Sequence, residues 1–91
     1  MVRRQVTVRN RLGLHARAAA RLVRLAGGFN SEIGLARMDT PVNVVDGKCI
    51  FGVLLLAATQ NTDLEVTAEG DDEMAALEAV CGLIDDYLGE S

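Results

Sequence analysis

The chain has 91 residues, 49% of them apolar, with two Phe, one Tyr and no Trp, so one core built from Val, Leu, Ile and Ala is expected and two are not. Its formal net charge of −4 and scarce aromatics argue against a nucleic-acid surface, which would need basic excess and stacking rings. The longest apolar run, Val53 to Ala58, is too short for a bilayer span, and Met1 to Gln5 carries no secretory pattern, so a soluble cytoplasmic protein with no membrane partner is expected.

Val6 and Val8 alternate with Gln5, Thr7 and Arg9, the period of a half-buried strand. A turn follows over Asn10 to Leu14, and Ala16 to Ala26 runs at helical period. On that helix Arg17, Arg21 and Arg24 fall at i, i+4 and i+7, while Ala18, Leu22 and Leu25 keep the same spacing on the other side. Glu32-Ile33-Gly34-Leu35 alternates as a second strand. Met38-Asp39-Thr40-Pro41 supplies turn chemistry, and Val42 to Val45 resumes β character, which together read as a hairpin.

Asp46-Gly47 breaks that run. Lys48 to Ala58 is an apolar block whose period alone does not separate strand from helix; its first half is read as a short helix. Leu64, Val66 and Ala68 alternate with Glu65 and Thr67 as a last strand. Gly70-Asp71-Asp72-Glu73 then makes an acidic start for a final helix with the stripe Met74, Leu77, Cys81, Ile84 and Leu88. The order βαββαβα predicts an α+β fold, a sheet covered on one face by helices, in a single domain over residues 1–91. Cys49 and Cys81 lack CxxC spacing and a second histidine, so reduced thiols and no metal are expected.

The only histidine, His15, stands where strand gives way to helix. If the helix opens at His15 or Ala16, its first backbone amides lack intrahelical acceptors, and the macrodipole's positive end favours an anion there. That positive potential biases the imidazole toward its neutral form, the form with a lone pair for attack. Arg17 adds a planar, permanently charged donor. Residues up to Ser31 hold seven arginines and no Asp or Glu, whereas Asp63 onward is acidic, so acidic partners would be steered toward His15.

Gly13-Leu14-His15-Ala16-Arg17 resembles the phosphohistidine signature of the HPr family, the phosphocarriers of the bacterial phosphoenolpyruvate-dependent phosphotransferase system. The chain length, Gly27-Gly28-Phe29 closing the first helix, and Lys48-Cys49-Ile50-Phe51-Gly52-Val53-Leu54 are similar to that family as well. The resemblance implies a four-stranded antiparallel open-faced sandwich with three helices on one face. It implies a carrier, not a turnover enzyme, that takes a phosphoryl group on Nδ1 of His15 from Enzyme I and passes it to an Enzyme IIA domain. It needs no cofactor.

In that reading Arg17 and the amides of Ala16 and Arg17 cradle the phosphoryl oxygens, and catalysis is alignment and charge neutralisation. Phe51 and Leu54 dock on partners inside a rim of Arg17, Arg21, Arg24 and Lys48, while Ile50 and Val53 belong to the core. The protein is expected to be a monomer. The sequence departs from the family's usual pattern at Ala18, where proline is common, and at Cys49, where many Gram-positive members carry a regulatory serine. The stretch Leu35 to Asp46 is slightly long. Asn10-Arg11-Leu12-Gly13 is similar to the nitrogen-branch carriers, and the sugar branch stays open. Two other readings of the residues stand beside this one: a module whose basic stripe binds anions or nucleic acid, and a small hydrolase of acyl phosphates using arginine with asparagine.

Overall fold

The computed structural model describes residues 1–90. In chain order it contains β1 (Val2–Thr7), α1 (Ala16–Ala26), β2 (Glu32–Arg37), β3 (Val45–Asp46), α2 (Ile50–Leu55), β4 (Asp63–Glu69) and α3 (Glu73–Asp85), followed by a 3-10 turn at Tyr87–Gly89. The four strands form one antiparallel sheet in the order β1-β4-β2-β3. This is the expected βαββαβα sandwich.

β4 lies at the centre and alternates most cleanly, with Leu64, Val66 and Ala68 buried between the more exposed Asp63, Glu65, Thr67 and Glu69. Val66 stands opposite Arg4 on one side and Leu35 on the other, and Leu64 opposite Val6 and Arg37. Because side chains alternate across a strand, this register sets Val2, Val6, Ile33, Leu35, Leu64, Val66 and Ala68 on the helix-covered face.

α1 meets that face through Ala18, Ala19, Leu22 and Ala26, small residues that let its backbone approach closely. Buried Leu22, Val53, Val80, Ile84 and Leu88 close one core, each side chain contributing about 1.5–3 kcal/mol relative to exposure. Cys81 is buried and free, and desolvation raises its thiol pKa above the ordinary value. No helix among the described residues is long and apolar enough to cross a membrane.

The strand expected from Val42 shrinks to Val45–Asp46, and Val42 and Val44 are exposed. Two turns use up the intervening residues, with Thr40 N–H bonding to Arg37 O and Asn43 N–H to Thr40 O, while the Arg37–Asp39 ion pair clamps the first at 3.0 Å. Pro41, lacking an N–H, could not have donated to the ladder.

On α3 the buried stripe is Ala76, Leu77, Val80, Cys81 and Ile84; Met74 is exposed in the first turn, because the helix approaches the sheet through Ala76. Leu88 is buried as expected, but by the turn after the helix and not by helical period. Leu25 is half-buried, and Ala26 takes the covered position. Val8 lies one residue beyond β1 and continues the pairing through Thr62 and Asn61.

Asp72 is the N-cap residue of α3, yet its carboxylate makes no capping bond there. It accepts the N–H of Asn30 at 2.8 Å and of Ser31 at 2.9 Å, together with the Ser31 hydroxyl, and so ties the loop after α1 to the start of α3. The Ser31 hydroxyl, and then the Asn30 N–H, hold the Asp72 carboxyl below its ordinary value.

Candidate functional site

The loop from Val8 to His15 is fixed against the turn before β4. Val8 N–H donates to Thr62 O, Asn61 N–H to Val8 O, and Leu14 N–H to Ala58 O at 2.9 Å. Gly13 makes this approach feasible. Its φ is +66°, and a Cβ there would stand 2.3 Å from Ala58 O, so only glycine fits. The loop is thus pressed onto the core just before His15.

His15 is the N-cap of α1, with extended backbone at φ −69° and ψ 174° and no side-chain capping bond. The first intrahelical bond runs from Ala19 N–H to His15 O at 2.8 Å, so the amides of Ala16, Arg17 and Ala18 have no acceptor within the helix. The first turn carries no acidic residue. The helix end keeps its positive field beside the ring, as expected from sequence. The Ala18 amide is free in the way the family's usual proline would require.

One group at this site escaped the sequence reading. His15 Nε2 lies 2.6 Å from Glu90 Oε2, and the other carboxylate oxygen, Oε1, accepts from Asn10 Nδ2 at 2.8 Å. Asn10 is fully buried and also donates Nδ2 to Gly13 O. Both partners are acceptors, which fixes the orientation of the amide. Asn10 and then His15 lower the Glu90 carboxyl pKa from its ordinary value, so it accepts as a carboxylate. A carboxylate accepts and does not donate, so Nε2 is the donor in this contact, and a neutral ring held this way would keep its lone pair on Nδ1.

The arginines of α1 divide. Arg17 is exposed and borders a depression with Arg11, Leu12, Arg21, Gly89 and Glu90. Arg21 is engaged within the protein, donating to Leu88 O at 3.0 Å and standing 3.7 Å from Glu90 Oε2. Arg24 is exposed. Lys48 is only partly available, since its ammonium donates to Phe29 O at 2.7 Å beyond the end of α1.

α2 packs against α1 and buries Val53, with Ile50 partly covered at the core. Its outer side shows Phe51 at 75%, Leu54 at 37% and Leu55 at 80% exposure. Leu12, before the histidine, is also exposed. Leu55 was legible in principle, because residues 51, 54 and 55 share one helical face once Val53 faces inward. Glu90 was not, being 75 positions from His15.

A lone histidine capping a helix, bordered by arginine and flanked by exposed apolar side chains, on an open-faced sandwich, is the arrangement of a small carrier-type domain. The profile of the family described as "PTS HPr component phosphorylation site" matches residues 2–86. Phosphocarrier protein HPr of Neisseria meningitidis is 39% identical over 90 residues, covering 99% of this chain and 98% of its own. That of Cupriavidus necator is 41% identical over the same coverage. The crystal structure of an HPr from Thermoanaerobacter tengcongensis superposes with a TM-score of 0.91 at 35% identity, covering 100% of this chain and 99% of that one. The chain belongs to the HPr family of phosphocarrier proteins of the phosphotransferase system.

Proposed function

We propose that the protein carries a phosphoryl group on Nδ1 of His15, accepting it from the phosphohistidine of Enzyme I and handing it to an Enzyme IIA domain. The observation that carries this reading is the Glu90 contact on Nε2, which leaves Nδ1 as the nucleophile at the end of α1. His15 acts first as nucleophile and then as leaving group. The amides of Ala16 and Arg17 and the Arg17 guanidinium receive the phosphoryl oxygens and balance their charge. In an in-line transfer such alignment and neutralisation are the protein's whole contribution.

The exposed side chains of Phe51 and Leu54 dock on the donor and acceptor proteins, with Arg24 outside them and Arg21 and Lys48 in partly engaged positions at the edge. The protein works as a single-domain monomer in the cytoplasm and turns over no substrate of its own. Cys49 at the start of α2 cannot accept phosphate as a serine would, so control by a serine kinase is absent. Asn10-Arg11-Leu12-Gly13 is similar to the regulatory nitrogen-branch carriers, and sugar uptake stays open beside that branch.

The test is intact-mass analysis after mixing the protein with phosphoenolpyruvate and a cognate Enzyme I. One acid-labile, base-stable phosphate is expected on the wild type and none on His15→Ala. Failure of the wild type to gain it would end the carrier reading.

A further inference from the structure

We propose that the free edge of β1, with the groove between that edge and α3, docks an extended segment of a partner protein carrying an acidic residue and, three positions from it, an apolar one. The inference does not use His15 and stands apart from the carrier reading.

The sheet order β1-β4-β2-β3 leaves two edges. β3 has two residues, too few to template another strand, whereas β1 has six. Val8 N–H donates to Thr62 O, and bonded and non-bonded pairs alternate along an antiparallel ladder. Val2, Arg4 and Val6 therefore direct their backbone groups to β4, while Arg3, Gln5 and Thr7 direct theirs outward. Among the described residues no other element bonds to those outward N–H and C=O groups.

α3 runs beside the same edge. Its Glu78, Cys81, Gly82 and Asp85 line an open groove of about 340 Å³ with Arg4 and Val6 of the strand. Gly82 lies inside the helix, where glycine is weaker than alanine, yet a Cβ there would meet nothing within 4 Å. Packing inside the fold does not require the missing side chain. Its absence keeps the groove open beside the half-buried Val6, and a strand added to β1 has room there for an inward side chain.

The charges choose the segment. Within the groove they balance: Arg9 is bonded to Asp85 at 2.9 Å, and Arg4 and Glu78 contribute one charge of each sign. A side chain entering opposite Val6 meets Val6, Cys81 and the bare Cα of Gly82, surroundings that suit an apolar group. The open face of the sheet differs. Arg3 stands there opposite Thr67 and, among the described residues, makes no ion pair; Glu65 and Glu69 are only diagonal to it. A carboxylate on an added strand directly opposite Arg3 completes a cross-strand pair. The positions opposite Arg3 and Val6 are three apart, which sets the spacing. A second copy fits poorly, because two such edges would crowd the Arg3 and Arg4 of each chain together. α2 packs beside β3, at the far edge of the sheet, so a segment on β1 leaves the face of Phe51 clear.

The probe is a capped heptapeptide of threonines with valine third and glutamate sixth, the order an antiparallel addition requires. It is titrated to about 5 mM, a range suited to a short flexible peptide. By NMR the amide signals of Arg3, Gln5 and Thr7 are expected to move and their hydrogen exchange to slow as new ladder bonds form. Gly82→Leu, which fills the groove with a good helix former, should keep a Tm no lower than wild type and bind at least about tenfold more weakly. Arg3→Glu should weaken binding about fivefold, and a peptide with lysine in place of glutamate should recover it. Unmoved Arg3, Gln5 and Thr7 amides at the highest concentration, or equal binding by folded Gly82→Leu, would overturn the proposal. If those signals move with protein concentration alone, the edge pairs with a second copy and the proposal falls.

Discussion

The Arg21 guanidinium donates to the Leu88 carbonyl at 3.0 Å, joining the middle of α1 to a segment 67 residues later. This bond fixes the backbone reversal that precedes Glu90, so a residue expected at the docking rim also holds the C-terminal tail in place. Arg21→Ala should lower stability by about 1 kcal/mol, the worth of one bond from a charged donor at a half-exposed site. The Tm should drop by roughly 5 °C. Amide hydrogen exchange checks the cause: protection should fall at Gly89 and Glu90, whose N–H groups bond to Asp86 O and Tyr87 O, and hold in β4.

Gly13→Ala tests how the histidine loop is seated. The added Cβ would meet Ala58 O at 2.3 Å and Thr59 Cα at 2.9 Å, both backbone atoms that cannot rotate away, at a φ that alanine disfavours. The loop would have to lift from the turn before β4, losing the Leu14–Ala58 bond and displacing Asn10. A loss of about 2–3 kcal/mol is expected, measured by urea unfolding, together with a slower rate of phosphorylation at His15 in the fraction that stays folded.

Most of the fold was legible because β4 and α1 each bury one face at the correct period, and the single histidine marked the helix start without any knowledge of packing. The failures share a cause. Val42 and Val44 have high strand propensity, but two turns between Arg37 and Asn43 leave them no partner. Met74 fits the helical stripe, yet the depth at which α3 packs is set by Ala76, a quantity that periodicity does not contain. Glu90 reaches His15 only because the tail turns through left-handed backbone, and no local signal precedes that turn except Gly89. Asp72, next to the helix it was expected to cap, serves a loop 41 residues away instead. Local pattern thus placed the histidine at the helix start, while its carboxylate partner depended on tertiary geometry.

The two sides of α2 should separate binding from stability. Phe51 is 75% exposed, so Phe51→Ala should leave the unfolding midpoint within error while raising the KM for phosphorylation by Enzyme I about tenfold, as loss of an interface anchor does. Val53 is fully buried on the same short helix. Val53→Ala should cost about 2 kcal/mol and leave KM nearly unchanged in the folded protein. Urea unfolding and initial-rate kinetics on both variants provide the comparison, and the same outcome for the two would mean that α2 does not present a separate docking face.

Acid should weaken the protein through Asp72 in a predictable window. Its carboxyl is held below the ordinary value of 3.8 in the folded state, chiefly by the Ser31 hydroxyl and then by the Asn30 N–H. A group with a depressed folded pKa binds its proton more readily when unfolded. Its contribution is therefore complete at neutral pH, begins to fade as pH falls toward its unfolded value, and is gone once pH has passed below the folded one. Asp72→Asn removes that charge while keeping the shape. The variant should unfold at lower urea concentration than wild type at pH 7, and the gap between the two should narrow as pH falls through the ordinary carboxylate range and close once pH lies below the folded value. Urea midpoints collected across that range decide the matter. A gap constant with pH would mean that folding leaves the Asp72 pKa where it was, and a gap widening in acid would mean that folding raises it, the reverse of what its contacts with Ser31 and Asn30 imply.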